Sequence, residues 1–116
     1  MKHSMPIEDD LFDKLRVELR RGALTLAVMT ALREERYGYT LRQLLEDSGL
    51  PIEEGALYPL LRRLEAQGLL TSQWREEGRN KRFYRLSADG QHILAELLGE
   101  WNAISESIVR LSERKQ

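Results

Sequence analysis

The chain has 116 residues, 41% of them hydrophobic and 32% charged, with a formal net charge of −1; that is one domain's length, enough for a single modest core. It contains no cysteine, which excludes disulfide staples and thiolate metal sites and fits a reducing compartment. No run approaches the ~18 consecutive apolar residues of a membrane span, and the opening MKHSMPIEDD lacks the apolar centre of a secretory signal, so a soluble cytoplasmic protein is expected.

The charge is unevenly spread. Between Arg62 and Arg85, seven basic residues (Arg62, Arg63, Arg75, Arg79, Lys81, Arg82, Arg85) face three acidic ones (Glu65, Glu76, Glu77), giving +4 there and −5 elsewhere. A solvated charged face would explain this as well as a phosphate-binding surface would.

In chain order, Ile7, Leu11, Leu15 and Leu19 recur four apart and predict an amphipathic helix. Gly22 either ends or merely interrupts it, and ALTLAVMTALREE then reads as a central core helix, apolar nearly all round. YGYTLRQLLEDSGL predicts a short helix with Leu41, Leu44 and Leu45 inward and Gly49 as its C-terminal cap. EEGALYPLLRRLEAQGLL places Leu57, Leu60, Leu61 and Leu64 on one helical face and stops at Gly68, completing a helix-turn-helix pattern. The period then becomes two. LLTSQWR and KRFYRLS predict a hairpin around the tip EEGRN, with Gly78 in the turn and Tyr84, Leu86 and Trp74 in the core. Ser87 is the expected N-cap of a long last helix. In it, Leu94, Leu97, Trp101, Ile104, Ile108 and Leu111 recur at spacings of three and four, a heptad seam. The fold class expected is mostly α with a small β-hairpin: a winged helix-turn-helix over residues 22–86, an N-terminal helical extension over 1–21 and a dimerisation helix over 87–116.

Four stretches, YGYTLRQLLEDSG, EEGALYPLLRRLEAQGLL, RNKRFYRLSADG and the EW of the last helix, together resemble the PadR-like transcriptional regulators, in the branch with a single C-terminal helix. The resemblance spans roughly Leu19 to Leu111. It implies a sequence-specific DNA-binding regulator, a repressor in the usual family sense, acting as a homodimer on a palindromic operator.

The DNA-contacting residues it implies are Tyr39, Thr40, Glu54, Gly55, Ala56, Tyr58, Pro59 and Arg62 on the helix-turn-helix, and Arg79, Asn80, Lys81 and Arg82 on the wing. With the leucines inward, Gly55, Tyr58, Pro59 and Arg62 fall on the outer face, where a recognition helix docks its first turns into the major groove. Gly55 would let the backbone approach DNA without a Cβ. Pro59 costs little within the first turn and ~3 kcal/mol deeper in the helix. Alternatively, Gly55 and Pro59 only set the turn geometry. Tyr37 and Tyr39 either bind phosphates or pack, Tyr37 being the one to pack. Two departures from the family pattern stand out: Glu53 and Ala56 occupy places where many relatives carry hydroxyl residues.

The seam of the last helix, with Leu11 and Leu15 of the first, predicts a homodimer interface formed by Leu11, Leu15, Leu94, Leu97, Trp101, Ile104, Ile108 and Leu111. Two reading helices would then lie about 34 Å apart, one DNA turn. By the same resemblance Trp101 would hold a small planar hydrophobic effector between subunits; the alternative is a large residue that fills the seam. No enzyme, cofactor or metal site is expected, because neither His3 nor His92 belongs to a set of ligands at metal-site spacing and no phosphate-cradling glycine loop is present. The rival function is a winged-helix dimer that serves as a protein-interaction adaptor without binding DNA.

Overall fold

The computed structural model describes residues 6–114, with side chains over residues 9–114; His3 and the Ile7 side chain fall outside that range. Its elements are α1 (Pro6–Ala31), β1 (Arg36–Tyr37), α2 (Gly38–Asp47), α3 (Glu54–Ala66), β2 (Leu70–Glu77), β3 (Arg79–Leu86) and α4 (Ala88–Glu113). The mostly helical chain with a small antiparallel sheet is the expected winged helix-turn-helix.

Two features differ from the sequence expectation. The first two helices are one, because α1 runs unbroken through Gly22; a lone glycine costs about 1 kcal/mol in a helix, too little to break one flanked by Arg, Ala and Leu. The expected 1–21 and 22–86 segments therefore share a helix. The wing is a three-stranded sheet in the order β1-β3-β2, with Arg36 opposite Tyr84 and Tyr37 opposite Phe83. Its two long strands pair from Leu70↔Leu86 out to Glu77↔Arg79, so only Gly78, at φ 77°, forms the tip.

Local signals set the ends of α2 and α3. Gly49 (φ 86°) and Gly68 (φ 82°) each take the left-handed conformation, and the residue after each donates back across the helix end, Leu50 to the Leu45 carbonyl at 2.8 Å and Leu69 to the Leu64 carbonyl at 3.0 Å. Both are Schellman stops. Between α2 and α3 the Arg42 Nε donates to the Ile52 carbonyl at 3.4 Å, bracing the turn.

The core lies where α1, α2 and α3 meet the base of the sheet. Val28, Met29, Leu32, Leu41, Leu45, Leu57, Leu60, Leu61, Leu64, Leu70, Tyr84 and Leu86 are buried there, joined by Leu94 from α4. The backbone N–H of Leu86 donates to the Leu32 carbonyl at 2.8 Å, fixing β3 to the end of α1. Leu94, at 1% exposure, is thus a core residue of its own chain and does not belong to the seam; the exposed stripe begins at Leu97.

The radius of gyration is 17.3 Å, against roughly 13 Å for a compact chain of this length. The excess comes from the first half of α1 and the last half of α4, whose described side chains are exposed almost throughout. Among the described residues, all the exposed large hydrophobic side chains except Tyr39 and Trp74 lie on these two helices.

Ser87 caps α4 as expected, its Oγ accepting from the Gly90 N–H at 2.9 Å while donating to the Gly68 carbonyl at 2.7 Å. A Cβ at Gly90 would collide with the Leu69 carbonyl oxygen and press on Leu86. Gly90→Ala is therefore expected to destabilise the chain by about 1–3 kcal/mol through overpacking, read as a lower urea midpoint with an unchanged slope.

Candidate nucleic-acid interface

α3 has two unlike faces. Leu57, Leu60, Leu61 and Leu64 are buried, while Gly55, Ala56, Pro59, Arg62 and Arg63 are exposed along the opposite side. Pro59 is the sixth residue of the helix, beyond the first turn in which a missing N–H costs nothing. A helical proline also crowds the carbonyl four residues back, and that carbonyl belongs to Gly55. The two helix-weakening residues are thus one i, i+4 pair: Pro59 cannot bond the Gly55 carbonyl, and Gly55 is exposed, so water can solvate it. Nothing lies within 4 Å of where a Gly55 Cβ would stand; packing within the chain does not require glycine at this position.

Tyr58 departs from its expected position on the outer face. It is half-buried and packs against the core cluster, with its hydroxyl end against Gly38, where any Cβ would collide with it. Its ring locks α3 to the start of α2. On α2, Tyr39 is 64% exposed beside this face. The Thr40 hydroxyl instead donates to the Tyr37 carbonyl at 3.0 Å, tying down the first turn. Tyr37 packs edge-on against Phe83 with ring centroids 5.3 Å apart. Glu53 and Glu54 are exposed at the helix start, and the Glu53 side chain makes no capping bond.

The wing sorts its cations into two kinds. Arg79 and Asn80 are exposed at the tip, while Lys81 and Arg82 are half-buried. The Lys81 ammonium lies 4.5 Å above the Tyr37 ring, a cation–π contact. Arg82 turns toward α3, donating to Glu65 at 3.2 Å and to the Ser72 hydroxyl at 3.0 Å. On the opposite sheet face Arg75 bonds Glu35 at 2.7 Å and covers the Phe83 ring at 4.6 Å. Phe83 is buried beneath this cation, which the alternation pattern alone did not indicate. Trp74 is the reverse case, 62% exposed rather than core. It shares the sheet face of Leu70 but pairs with Arg82, two rungs past the last covered pair, Ser72↔Tyr84. Burial raises the Tyr84 hydroxyl's pKa, and the Arg82 charge pulls the other way, so the group is neutral at ordinary pH.

The exposed candidates are therefore Tyr39 at the front of α2, Gly55, Ala56, Pro59 and Arg62 on α3, and Arg79 and Asn80 at the wing tip. Arg63, absent from the expected set, extends the strip by one exposed cation; its place beside Arg62 on the leucine-free side was the available signal.

A family model described as the transcriptional regulator PadR-like family matches residues 26–96. The chain belongs to the PadR-like family of transcriptional regulators. It is 41% identical over 81 residues to the transcriptional regulator Rv3488 of Mycobacterium tuberculosis, covering 68% of this chain and 76% of that protein. A PadR family transcriptional regulator from Eggerthella lenta superposes with a TM-score of 0.89 at 40% identity, over 96% of this chain and 100% of its own. A PadR-like transcription factor from Bacteroides fragilis gives 0.72 at 32% identity, over 84% and 98%. PadR-like proteins are DNA-binding regulators rather than enzymes. The match to residues 26–96 takes in α2, α3 and the wing, the elements that carry the exposed strip. It also takes in Glu53 and Ala56.

The strained pair of α3 gives a stability prediction. Pro59→Ala restores a donor to the Gly55 carbonyl and should stabilise the fold by about 1–3 kcal/mol, and Gly55→Ala by up to ~1 kcal/mol. Thermal unfolding of the two variants, scanned beside the parent chain, reads both gains.

Proposed function

We propose that this PadR-like regulator acts in the cytoplasm as a homodimeric repressor on a palindromic operator. Gly55, Ala56, Pro59 and Arg62 would read the major groove, and Arg79 and Asn80 would follow the flanking backbone. The observation that carries this reading is the exposure of Gly55, Ala56, Pro59 and Arg62 on the leucine-free face of α3, together with Arg79 and Asn80 exposed at the wing tip. Gly55 and Pro59 weaken the helix, and no packing within the chain calls for a glycine at 55; close approach of DNA to the backbone gives it a reason. Repression, as opposed to activation, comes from the family resemblance.

The homodimer reading rests on Leu11, Leu15, Leu97, Trp101, Ile104, Ile108 and Leu111, which are between 38% and 73% exposed together with their neighbours Phe12, Val17, Leu19 and Val109. A stripe of that extent on a monomer is an aggregation hazard, and a second copy would bury it. In this proposal residues 22–86 read DNA, while the helical segments before and after them, 1–21 and 87–116, join the subunits. The effector reading rests on Trp101. It is 40% exposed at the rim of an apolar cleft of about 360 Å³, lined by Leu26, Ala27, Leu44, Leu45 and Leu98. A planar, uncharged compound held there would touch α1, α2 and α4 together, and so could shift the reading helices.

The test is binding to the DNA upstream of the chain's own gene at two salt concentrations. Specific binding that weakens steeply with salt is expected; no binding at low salt would favour the protein-interaction adaptor instead. Gly55→Ala should weaken the specific complex while leaving the fold intact. Arg79→Gln should lower the slope of log affinity against log salt by about 0.9 if it neutralises one phosphate. Ile108→Glu should give a single-subunit mass in analytical ultracentrifugation and lose operator binding with it.

A further inference from the structure

Beyond the apolar core, the Glu65 carboxylate of α3 hydrogen-bonds to both long strands of the wing. Its Oε2 accepts from the Ser72 hydroxyl of β2 at 2.6 Å, and its Oε1 accepts from the Arg82 guanidinium of β3 at 3.2 Å. Arg82 closes the triangle by donating from Nε to Ser72 at 3.0 Å. The guanidinium also lies 5.6 Å from the Trp74 ring centroid and 5.7 Å from that of Tyr84. Apolar packing holds the sheet only at its base: beyond Leu70 no β2 residue is buried, and on β3 the buried residues are Phe83, Tyr84 and Leu86. A bare two-stranded ribbon is marginal in water. From Trp74↔Arg82 outward the wing therefore depends on polar contacts for its angle to α3.

We propose that Glu65 and Arg82 are positioning residues for DNA binding, a strut that holds the wing at a fixed angle to the reading helix so that both engage one duplex. This assigns Arg82 a role other than the phosphate contact expected from sequence, and its consequence for affinity rests on the DNA-binding reading above. The sign of one substitution separates the alternatives. Glu65 is an acid within the 62–85 window of net charge +4, so simple electrostatics says that removing its charge strengthens DNA binding. The strut says the opposite, because the wing loses its register with α3.

The experiment compares Glu65→Gln, Arg82→Gln and the double variant with the parent chain, first without DNA. Hydrogen exchange should speed up at the outer rungs, residues 74–82, while the amides of α2 and α3 keep their protection. In titrations with operator DNA, Glu65→Gln should weaken binding by roughly ten-fold, and the double variant should lose no more than either single one. The salt slope of Glu65→Gln should match that of the parent, whereas a lost phosphate contact lowers it by about 0.9. Ser72→Ala, which keeps the charge pair, should give a smaller loss in the same direction. Unchanged exchange in Glu65→Gln would overturn the strut whether or not the chain binds DNA. Equal or tighter DNA binding by Glu65→Gln, or a slope lowered by a full phosphate in Arg82→Gln, would overturn it as well. Faster wing exchange in a chain that binds no DNA at any salt would leave the strut standing as a mechanical fact and overturn the DNA-binding reading alone.

Discussion

Every placement at the interface depends on the burial of Leu57, Leu60, Leu61 and Leu64 on the inner side of α3. Each fully buried leucine contributes roughly 1.5–3 kcal/mol, so the four together outweigh the ~3 kcal/mol penalty of an interior proline. That margin frees the outer side from any duty to helix stability. Gly55 and Pro59 can then sit four residues apart, one leaving the other's carbonyl unbonded, without melting the helix. The inner face holds α3 in place, and the outer face is left to be shaped by what it touches.

The same leucines explain why so much was legible in the sequence. Helical spacing, the stops at Gly49 and Gly68 and the cap at Ser87 are local signals, each completed within a few residues of chain, and each appears where its pattern predicts it. Apart from the unbroken α1, the unforeseen features need a partner distant in sequence. β1 is two residues long and carries no period of its own; it exists because Tyr37 meets Phe83 across the sheet. Trp74 reads as core by alternation, but alternation gives the face and not how far cover extends along it. Leu94 has the same spacing as Leu97 and Trp101, and a heptad cannot tell a helix's own core from a neighbour's. Tyr58 left the outer face because Gly38 has no side chain to keep its ring away.

Charge shows the limit of reading composition. Seven basic residues between Arg62 and Arg85 count alike in the sequence, yet they do two jobs. Arg75 and Arg82 are held by Glu35 and Glu65, and Lys81 lies over a tyrosine ring. Arg62, Arg63, Arg79 and Arg85 are exposed. The tethered cations stiffen the wing, and only the exposed ones are placed to displace counterions from a duplex. Glu76 and Glu77, also exposed on the wing, work against them. One subunit therefore offers a shallow electrostatic attraction, much smaller than the +4 of the window suggests.

That shortfall connects the two ends of the molecule. A single reading head with few exposed cations would hold DNA weakly, and in the homodimer proposed above affinity would come from engaging a second head at high effective concentration. The material for joining two heads would be two helical segments, α1 before Ala23 and α4 after Leu98, whose described large apolar side chains are 40% to 73% exposed. Their exposure inflates the radius of gyration to 17.3 Å, a geometry that wastes apolar surface in a monomer and makes sense when a second copy covers it. Leu94 marks the boundary. Up to that residue α4 belongs to its own domain; Leu98 still packs against the core, and the large apolar side chains at Leu97, Trp101 and beyond are more than a third exposed. An effector wedged beside Trp101 would act at this boundary, where the joining helices meet α2, and would need to move α2 only slightly to spoil the spacing of two heads on one palindrome.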